Sequence, residues 1–491
     1  MLPPAASACL RLFLCLAIGG AGGSVSAQNL PPEVDAALQR AKVPREAVTL
    51  LVQDAEGKSA PRLSHRATIA MNPASVMKLV TTYAALDLLG PAFSWSTPVY
   101  VEGAVRDGTL YGNLIIRGQG DPKLVLERIW LLLRRVQGLG VKNISGDIVL
   151  DHSAFARAES DAGSFDGEPL RPYNVAPDAL LLNYKSVVMT FVPDRTVNTA
   201  QVQYDPPLAG VAMQSSVPLS GGDCADYRAT LKADFTDPGH IRFAGTYPSS
   251  CLEKVWPVAY ADPKTFATRA IEGMWLEMGG KLGGSVRDAS APLLASTLAA
   301  PVFELVSPAL SEVIRDINKY SNNVMAQQVF LTLSLQSRLL ANTAANARPA
   351  GAERGTSEGA REVVRRWWSE RFAGNEPPVL DNGSGLSRSE RISAQSLARM
   401  LQGAYLSPVM PELLASLPVV GVDGTMRRNR SRAVGSAHLK TGSLRDVAAV
   451  AGYVHASSGK RYVLVAIINH ANAGAARGAF DALLDWTVKD N

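Results

Sequence analysis

The sequence of 491 residues contains little of what a metal or redox centre needs. It has only four cysteines and six histidines, and neither a C-x-x-C nor an H-E-x-x-H pattern occurs. Zinc sites usually draw on such closely spaced ligands, so the sequence gives no indication of a metal centre. We therefore expect a protein that works without a metal or another cofactor.

Strong charge of one sign is also absent. Lys and Arg total 49 against 44 Asp and Glu, which gives a formal net charge of +5. A bias this small over such a length is far from the footprint of a nucleic-acid-binding protein, so no nucleic-acid partner is expected. Hydrophobic residues make up 47% of the chain, a globular composition. At roughly 100–200 residues per domain, the length indicates several domains.

No apolar run is long enough to cross a membrane, but the first residues do have the pattern of an export signal. The basic Arg11 precedes an apolar stretch over 12–18, and small residues follow up to Ala27. The alternative is a membrane anchor, but the stretch is shorter than the ~20 apolar residues that a span requires, and glycines interrupt it. We predict a signal peptide over residues 1–27, cleaved after Ala27.

Export leaves two cysteines in the mature chain, Cys224 and Cys251. An oxidising compartment allows a disulfide to persist, and an even pair with polar, turn-rich flanks is typical of structural bridges. We predict a bond between Cys224 and Cys251. The alternative is a pair of buried free thiols.

Hydrophobic patterns divide the chain into three parts. Residues 46–58 resemble a strand, and a helix is expected from Ser75 to Leu89, where Gly90 and Pro91 end it. From 94 to 261, short β-branched runs alternate with turns around one helical stretch, which indicates a strand-rich insert. Helical patterns return after 262. A polar linker over 341–359 and a hairpin over 447–469 follow, before a last helix at about 475–488.

Three short motifs carry the polar groups of a catalytic site. They are Ser75-Val76-Met77-Lys78 at the start of a helix, Ser321-Asn322-Asn323, and Lys440-Thr441-Gly442 before a strand. Each motif alone is weak. Together and in this order they form the set used by penicillin-recognising enzymes with an active-site serine.

Each residue type in these motifs has a chemical use. A serine hydroxyl needs a base, and Lys78 lies one helical turn from Ser75, on the same face. A lysine acts as a base only when burial and a nearby cation lower its pKa, and Lys440 can supply that cation. Ser321 can relay a proton to the leaving amine, and Asn323 can hold Lys78 or a substrate carbonyl. Unpaired N–H groups at the start of the helix suit an oxyanion.

Non-catalytic interpretations exist for every motif. Ser75 could simply cap a helix, and Lys78 could be a solvated helix lysine. The second motif could be a polar kink between helices, and the third a turn before an edge strand. The ordered set of three makes these interpretations much less favourable than a shared active site.

With these motifs, the sequence resembles the low-molecular-mass class C penicillin-binding proteins, the D-alanyl-D-alanine carboxypeptidase/endopeptidases. The long gap between Ser75 and Ser321 matches the place where this family inserts extra domains. Residues 172–177 (PYNVAP) and 381–388 (DNGSGLSR) are similar to further family segments, with Asn382 as an added residue. The resemblance covers essentially the whole chain after the signal peptide.

The resemblance implies an α/β (α+β) penicillin-recognising fold, in which helices flank an antiparallel sheet. The catalytic domain is expected to be split between residues 28–93 and 262–491. Residues 94–261 would form a strand-rich accessory insert, expected to divide into two subdomains.

The resemblance also implies roles for individual residues. Ser75 would be the acylated nucleophile and Lys78 its general base. Two further sets of residues would complete the proton network and bind the substrate. The proton network would comprise Ser321, Asn323 and Lys440. The substrate-binding residues would be Thr441, Gly442, Ser443, Arg388 and an acidic residue of the insert, Glu168 or Asp166.

The implied function is hydrolysis of peptidoglycan peptides in the periplasm. The partners would be pentapeptides, cross-linked muropeptides and, as covalent inhibitors, β-lactams. The basic run over 427–432 suggests peripheral association with the anionic envelope as a minor interpretation. Two alternatives for the function remain: a β-lactamase or esterase using the same serine, and a non-catalytic wall-binding sensor on the same fold.

Overall fold

The computed structural model describes residues 30–156, 161–292, 300–345 and 354–490. The predicted signal peptide, residues 1–27, lies outside the described residues. None of the helices in the described ranges is both long and apolar enough to cross a membrane.

The described α-helices alternate along the chain with three groups of strands. In chain order they are α1 (Pro32–Arg40), α2 (Lys78–Leu89), α3 (Leu126–Gly138), α4 (Tyr227–Leu231), α5 (Phe266–Glu277), α6 (Leu310–Tyr320), α7 (Asn323–Ala345), α8 (Ser357–Arg371), α9 (Ala394–Tyr405), α10 (Met410–Ser416) and α11 (Arg477–Lys489).

Most strands are short and fall between α2 and α6. In chain order the strands are β1 (Val48–Asp54), β2 (Leu63–His65), β3 (Ala70–Met71), β4 (Ser96–Arg106), β5 (Thr109–Arg117), β6 (Asn143–Ile144), β7 (Ile148–Asp151), β8 (Ser186–Asp194), β9 (Thr199–Asp205), β10 (Ala212–Met213), β11 (Ser216–Ser220), β12 (Ala233–Asp234), β13 (His240–Phe243), β14 (Tyr247–Pro248), β15 (Lys254–Ala259), β16 (Lys281–Leu282), β17 (Val286–Asp288), β18 (Phe303–Val306), β19 (Ile392–Ser393), β20 (Ala437–Leu444), β21 (Val447–His455) and β22 (Arg461–Asn469).

The first and last parts of the chain share one antiparallel sheet, with strand order β2-β1-β22-β21-β20. Strand β1 pairs with β22 over its whole length, so the N-terminal residues complete a sheet whose other long strands come from the C-terminus. Nearly every residue of β21 and β22 is buried, because helices cover both faces of the sheet. Helices α1 and α11 pack on one face, and the other face packs against a layer that includes α2, α7 and α9.

Helix α2 lies inside this helical layer. Nine of its twelve residues, Lys78 to Leu86, are buried, and its sequence has no polar face. A helix that is apolar all round is stable only when neighbours cover every side, and here α6, α7, α8 and α9 do so. The Ser75–Lys78 motif at its N-terminus is therefore attached to an element that is packed on every side.

The strand-rich part of the chain packs around an apolar cluster of its own. It contains a five-stranded sheet, β14-β11-β9-β8-β15, and a larger sheet built around β4 and β5. A three-stranded sheet, β10-β13-β12, adds to it. Helices α3 and α5 pack against the same apolar cluster. The predicted disulfide between Cys224 and Cys251 is present in this unit.

The packing places the second border of this unit later than the predicted residue 262. Helix α5 buries Phe266 and Trp275 in the accessory core, and β17 pairs with β7. Strand β18 pairs with β4, with Phe303 opposite Val99. The helical pattern after 262 suggested a return to the catalytic part, but α5 covers the accessory sheet. The chain leaves this unit only after Val306.

Candidate active site

Ser75 lies on a tight turn that leads into α2. Residues 74–77 form one turn of 3₁₀-helix, and Ala74 has the left-handed φ of 47°. The side chain of Asn72 holds this turn, because its Oδ1 accepts the Ala74 N–H at 2.8 Å. Asn469 at the end of β22 accepts the Asn72 N–H at 2.9 Å, which ties the turn to the central sheet. The helix therefore begins at Lys78, three residues later than the sequence predicts.

Lys78 is completely buried directly beneath Ser75, with 0% of its surface exposed. Its Nζ lies 2.9 Å from Ser75 Oγ and 2.6 Å from Asn323 Oδ1, and it also contacts the backbone oxygen of Ser384. Burial lowers the pKa of Lys78 well below the usual range of a lysine, and the charge of Lys440 lowers it further.

The three oxygens around Lys78 Nζ can be served by an ammonium or by a neutral amine, and the lowered pKa favours the neutral amine. A neutral amine has two N–H donors and one lone pair, whereas an ammonium has three donors and no acceptor. Asn323 Oδ1 and the Ser384 carbonyl can only accept, so they take the two N–H groups. The lone pair is left for the Ser75 hydroxyl, which is the arrangement of a base beside its nucleophile.

The second motif occupies the junction of two helices. Helix α6 ends at Tyr320, and Ser321 caps it with a left-handed φ of 59°. Helix α7 starts two residues later at Asn323, so Ser321 projects from the gap between them. Ser321 Oγ accepts a hydrogen bond of 2.9 Å from Lys440 Nζ. The second motif is therefore a polar junction between two helices, and its serine contacts the lysine of the third motif.

The third motif lies on β20, which is the edge strand of the central sheet. Lys440 is also completely buried, and burial lowers its pKa to about 7. Its Nζ donates to the backbone oxygen of Thr441 at 2.8 Å as well as to Ser321. The neighbouring Thr441 Oγ1 donates to Thr425 Oγ1 at 2.8 Å.

Gly442 lets this strand approach the serine turn. A Cβ on Gly442 would lie 2.4 Å from the oxygen of Pro73 and 3.1 Å from the Ser75 nitrogen. Its φ is not in the left-handed region, so the requirement for glycine here is lack of space. Strand β20 and the Ser75 turn therefore form the two walls of one narrow cleft.

The accessory unit reaches this cleft through the loop over 161–175. Asn323 Nδ2 donates a hydrogen bond of 3.2 Å to the backbone oxygen of Tyr173. Asn323, whose Oδ1 accepts from Lys78, therefore also contacts this loop. The guanidinium of Arg388 lies 4.8 Å from the centre of the Phe165 ring. Asp166 accepts hydrogen bonds from Tyr173 at 2.9 Å and from Asn174 at 2.8 Å.

The five predicted catalytic residues come together in two hydrogen-bonded groups. Ser75, Lys78 and Asn323 form one group, and Ser321 and Lys440 form the other. The charge of Lys440 acts on Lys78 and so couples the two groups.

The predicted substrate-binding residues lie around this centre. Thr441 and Gly442 are on the cleft strand, as is Ser443, whose Oγ accepts a hydrogen bond of 3.2 Å from Arg477. Arg388 faces the accessory loop. Glu168 is exposed, and its carboxylate contacts Arg171 of the same loop at 3.3 Å. The loop backbone is therefore what connects Glu168 to the site. Asp166 is the acidic residue whose partner Tyr173 also contacts Asn323.

Some contacts had no signal in the sequence. The Ser384 carbonyl and the Tyr173 carbonyl are backbone groups, which any residue type could supply. Thr425 lies on the 3₁₀ turn over 424–426 and Arg477 at the start of α11, and the position of both beside β20 depends on the fold. Among the described residues, no three or more His, Cys, Asp or Glu side chains are grouped so that they could hold a metal ion.

Comparison with known proteins gives a consistent result. The model of the D-Ala-D-Ala carboxypeptidase 3 (S13) family matches residues 30–489. The D-alanyl-D-alanine carboxypeptidase DacB of Haemophilus influenzae is 24% identical over 408 residues, which cover 82% of this chain and 81% of that protein. The D-alanyl-D-alanine carboxypeptidase of Actinomadura sp. strain R39 is 27% identical over 419 residues, covering 82% and 74%.

The fold is also similar to a solved structure. Penicillin binding protein 4 (dacB) from Haemophilus influenzae superposes with a TM-score of 0.69 at 21% sequence identity. The match covers 92% of this chain and 99% of that one. The predicted fold class, a penicillin-recognising sheet flanked by helices with an accessory unit, is thereby confirmed.

Proposed function

The chain belongs to the D-Ala-D-Ala carboxypeptidase 3 (S13) family, and we propose that it removes D-alanine from peptidoglycan peptides through an acyl-enzyme on Ser75. It is a serine-type D-Ala-D-Ala carboxypeptidase of the penicillin-binding proteins. The observation that carries the mechanism is the 2.9 Å contact between Ser75 Oγ and the buried Lys78 Nζ. This contact joins a nucleophile to a base whose pKa the protein lowers.

Acylation follows from the two hydrogen-bonded groups. Ser75 Oγ attacks the carbonyl carbon of the penultimate D-alanine while Lys78 Nζ takes the hydroxyl proton. The C–N bond breaks, and the leaving amine receives a proton from the Ser321 hydroxyl, which Lys440 can then reprotonate. The backbone N–H groups of Ser75 and Ser443 are the proposed oxyanion donors.

Deacylation runs the same proton path in the reverse direction. A water molecule attacks the acyl carbon and passes a proton through Ser321 to Lys440, which gave one up during acylation, and Ser75 Oγ leaves with the proton that Lys78 holds. A β-lactam would acylate Ser75 in the same way, but its ring opens and the amine stays attached, which slows the attack of water. The name of the similar penicillin binding protein 4 supports this part of the proposal.

We propose that strand β20, the wall of the cleft opposite the serine turn, recognises the substrate. Thr441 and Ser443 stand two residues apart on β20, so their side chains share one face of the strand. Their hydroxyls, with the charge of Lys440, suit the terminal carboxylate of the peptide. The loop with Asp166 and Glu168 would meet the free amine of the peptide's diamino acid.

Two finer parts of the function are proposals as well. We propose that the protein also acts as an endopeptidase on cross-linked muropeptides, because the leaving group there keeps a carboxylate next to the cleaved bond. We also propose a periplasmic location, which the signal-like residues 1–27 support. The exposed arginines at 427, 428, 430 and 432 could add a peripheral contact with the anionic envelope.

The β-lactamase or esterase alternative keeps the same nucleophile and differs in the rate of deacylation. The sensor alternative removes catalysis altogether. A complete Ser–Lys pair with a lowered lysine pKa favours an enzyme over the sensor.

Labelling with a fluorescent penicillin tests the mechanism. Wild type should be labelled covalently and should release D-alanine from a pentapeptide, and Ser75→Ala should do neither. Ser369→Ala is the matched control, because Ser369 is exposed on α8 and bonds only within that helix. Label retained on Ser75→Ala would refute the nucleophile. An unlabelled wild type would favour the sensor, and rapid loss of label with penicillin turnover would favour the β-lactamase.

A further inference from the structure

A buried carboxylate lies behind the catalytic lysine and has no role in the mechanism described so far. Glu390 is 0% exposed. Its Oε1 accepts three backbone N–H groups, from Asp381 and Asn382 at 3.1 Å and from Gly383 at 2.9 Å. Removing a carboxylate from water costs several kcal/mol, so an acidic residue in such a place needs a reason.

The three N–H groups belong to the loop that packs against the serine turn. The next residue in that loop, Ser384, presents its carbonyl to Lys78 Nζ. Gly383 has the left-handed φ of 71°, and its carbonyl accepts from Thr81 Oγ1 at 2.6 Å. Gly385 is so close that a Cβ there would lie 2.0 Å from the Ala74 oxygen. A small movement of this loop would therefore move the partner of the base.

Glu390 also acts on Lys78 through charge. Its negative charge raises the pKa of Lys78, against the larger lowering by burial and by Lys440 on β20. The other charged groups facing Glu390 belong to its own loop and to α8. Burial raises the pKa of Glu390, the three backbone N–H groups lower it, and the charge of Asp381 raises it further. Arg361 binds the Asp381 backbone oxygen at 2.9 Å. The charges of two buried groups, the cation Lys440 and the anion Glu390, thus act on Lys78 in opposite directions.

We propose that Glu390 is a positioning residue for the general base: its carboxylate fixes the 381–385 loop so that the Ser384 carbonyl holds Lys78 Nζ against Ser75, and its charge offsets part of the effect of Lys440. The inference rests on the proposed role of Lys78 as the base. Glu390 lies two residues beyond the 381–388 segment that resembles the family, so its proposed role is additional to that segment.

Two substitutions separate the charge of Glu390 from its geometry. Glu390→Gln keeps an oxygen for the three N–H groups and removes the charge. We expect it to move the acid limb of the pH profile of penicillin acylation to lower pH by about 1 unit. Glu390→Asp keeps the charge and shortens the side chain. We expect it to lower the acylation rate about 10-fold or more without moving the limb.

Two further variants serve as controls. Glu358→Gln removes an exposed carboxylate from α8 and should leave both rate and pH profile unchanged. Thr81→Val removes the other hydrogen bond that holds the loop, with no change of charge, and should lower the rate but keep the acid limb in place.

Several outcomes would overturn the inference. One is a Glu390→Gln protein with the wild-type pH profile together with a Glu390→Asp protein of wild-type rate. Another is failure of both variants to show a cooperative thermal transition, which would make the role purely structural. These results are separate from the nucleophile test: if Ser75→Ala loses the label while the Glu390 variants behave as wild type, the proposed function stands and only this inference fails.

Discussion

Gly442 offers a sharp test of how the cleft is built. In Gly442→Ala, the new Cβ would lie 2.4 Å from the Pro73 oxygen, whereas ordinary contacts begin near 3.4 Å. The obstacle is backbone, so strand β20 and the serine turn must separate by about 1 Å. That movement would stretch the 2.9 Å bond between Lys440 and Ser321 beyond hydrogen-bonding distance.

The expected loss can be divided into stability and rate. Overpacking in a tight interior costs about 1–3 kcal/mol of unfolding free energy. A displacement of this size at a catalytic centre lowers the rate about 100-fold. The assay is the second-order rate constant of acylation by a fluorescent penicillin, with the thermal midpoint measured on the same preparation.

Gly478→Ala is the matched control for this variant. Gly478 lies on α11 below the same sheet, and a Cβ there would meet no atom within 4 Å. Because alanine favours a helix over glycine, this variant should keep the acylation rate and gain about 0.5–1 kcal/mol of stability. If Gly442→Ala acylates within 2-fold of wild type and melts at the same temperature, the close approach of β20 to the serine turn is wrong.

Three further predictions follow from the charges and the disulfide. The acylation rate should fall on the acid side as Lys78 takes up a proton. This acid limb should lie well below the usual lysine range, because burial and the charge of Lys440 lower the pKa of Lys78. An acid limb at the usual lysine value, in a rate profile measured from pH 5 to 10, would contradict this. Burial lowers the pKa of His152, but Asp178 at 2.5 Å and Asp288 at 3.3 Å outweigh it and raise the pKa to about 9. Because the pKa of His152 is higher in the folded state, its ion pairs stabilise the protein fully below about pH 6.5, and this stabilisation, at most about 3 kcal/mol, is lost as the pH rises to 9. The free energy of unfolding in urea, measured at pH 6.5 and pH 9, should therefore change less in His152→Gln than in wild type. An equal change in the two proteins would count against the ion pairs. The disulfide between Cys224 and Cys251 closes a loop over a sequence separation of 27. A variant with serine at both positions should lose about 3–4 kcal/mol of unfolding free energy and keep its penicillin labelling at 25 °C. Loss of labelling in the folded variant would show that the bond supports the active site.

Local sequence was enough to predict that Lys78 lies beside Ser75. The S-x-x-K motif requires only one turn of helix to bring Lys78 to Ser75, and the helix is predictable from its apolar run and its Gly-Pro end. The hairpin of β21 and β22 and the strand-rich insert are also readable, because strand patterns repeat every two residues and turn residues separate them. The disulfide followed from the number of cysteines outside the predicted signal peptide.

The sequence was less informative wherever packing decides. Helix α5 has an ordinary helical pattern, and nothing local shows that Phe266 and Trp275 bury in the accessory core. The border of that unit therefore shifted from 262 to Val306, where the last pairing with β4 ends. The acidic residue of the insert was left between Asp166 and Glu168, and only the hydrogen bonds of Tyr173 connect Asp166 to Asn323.

The sequence by itself determined which side chains are candidates for the chemistry, because a nucleophile, a base and their proton partners must be particular residue types at fixed local spacings. The tertiary structure alone decided what surrounds Lys78. The pKa of a lysine depends on its burial and on charges from distant parts of the chain, here Lys440 and Glu390. Its partner at Ser384 is a backbone carbonyl, which leaves no mark in the sequence because every residue has one.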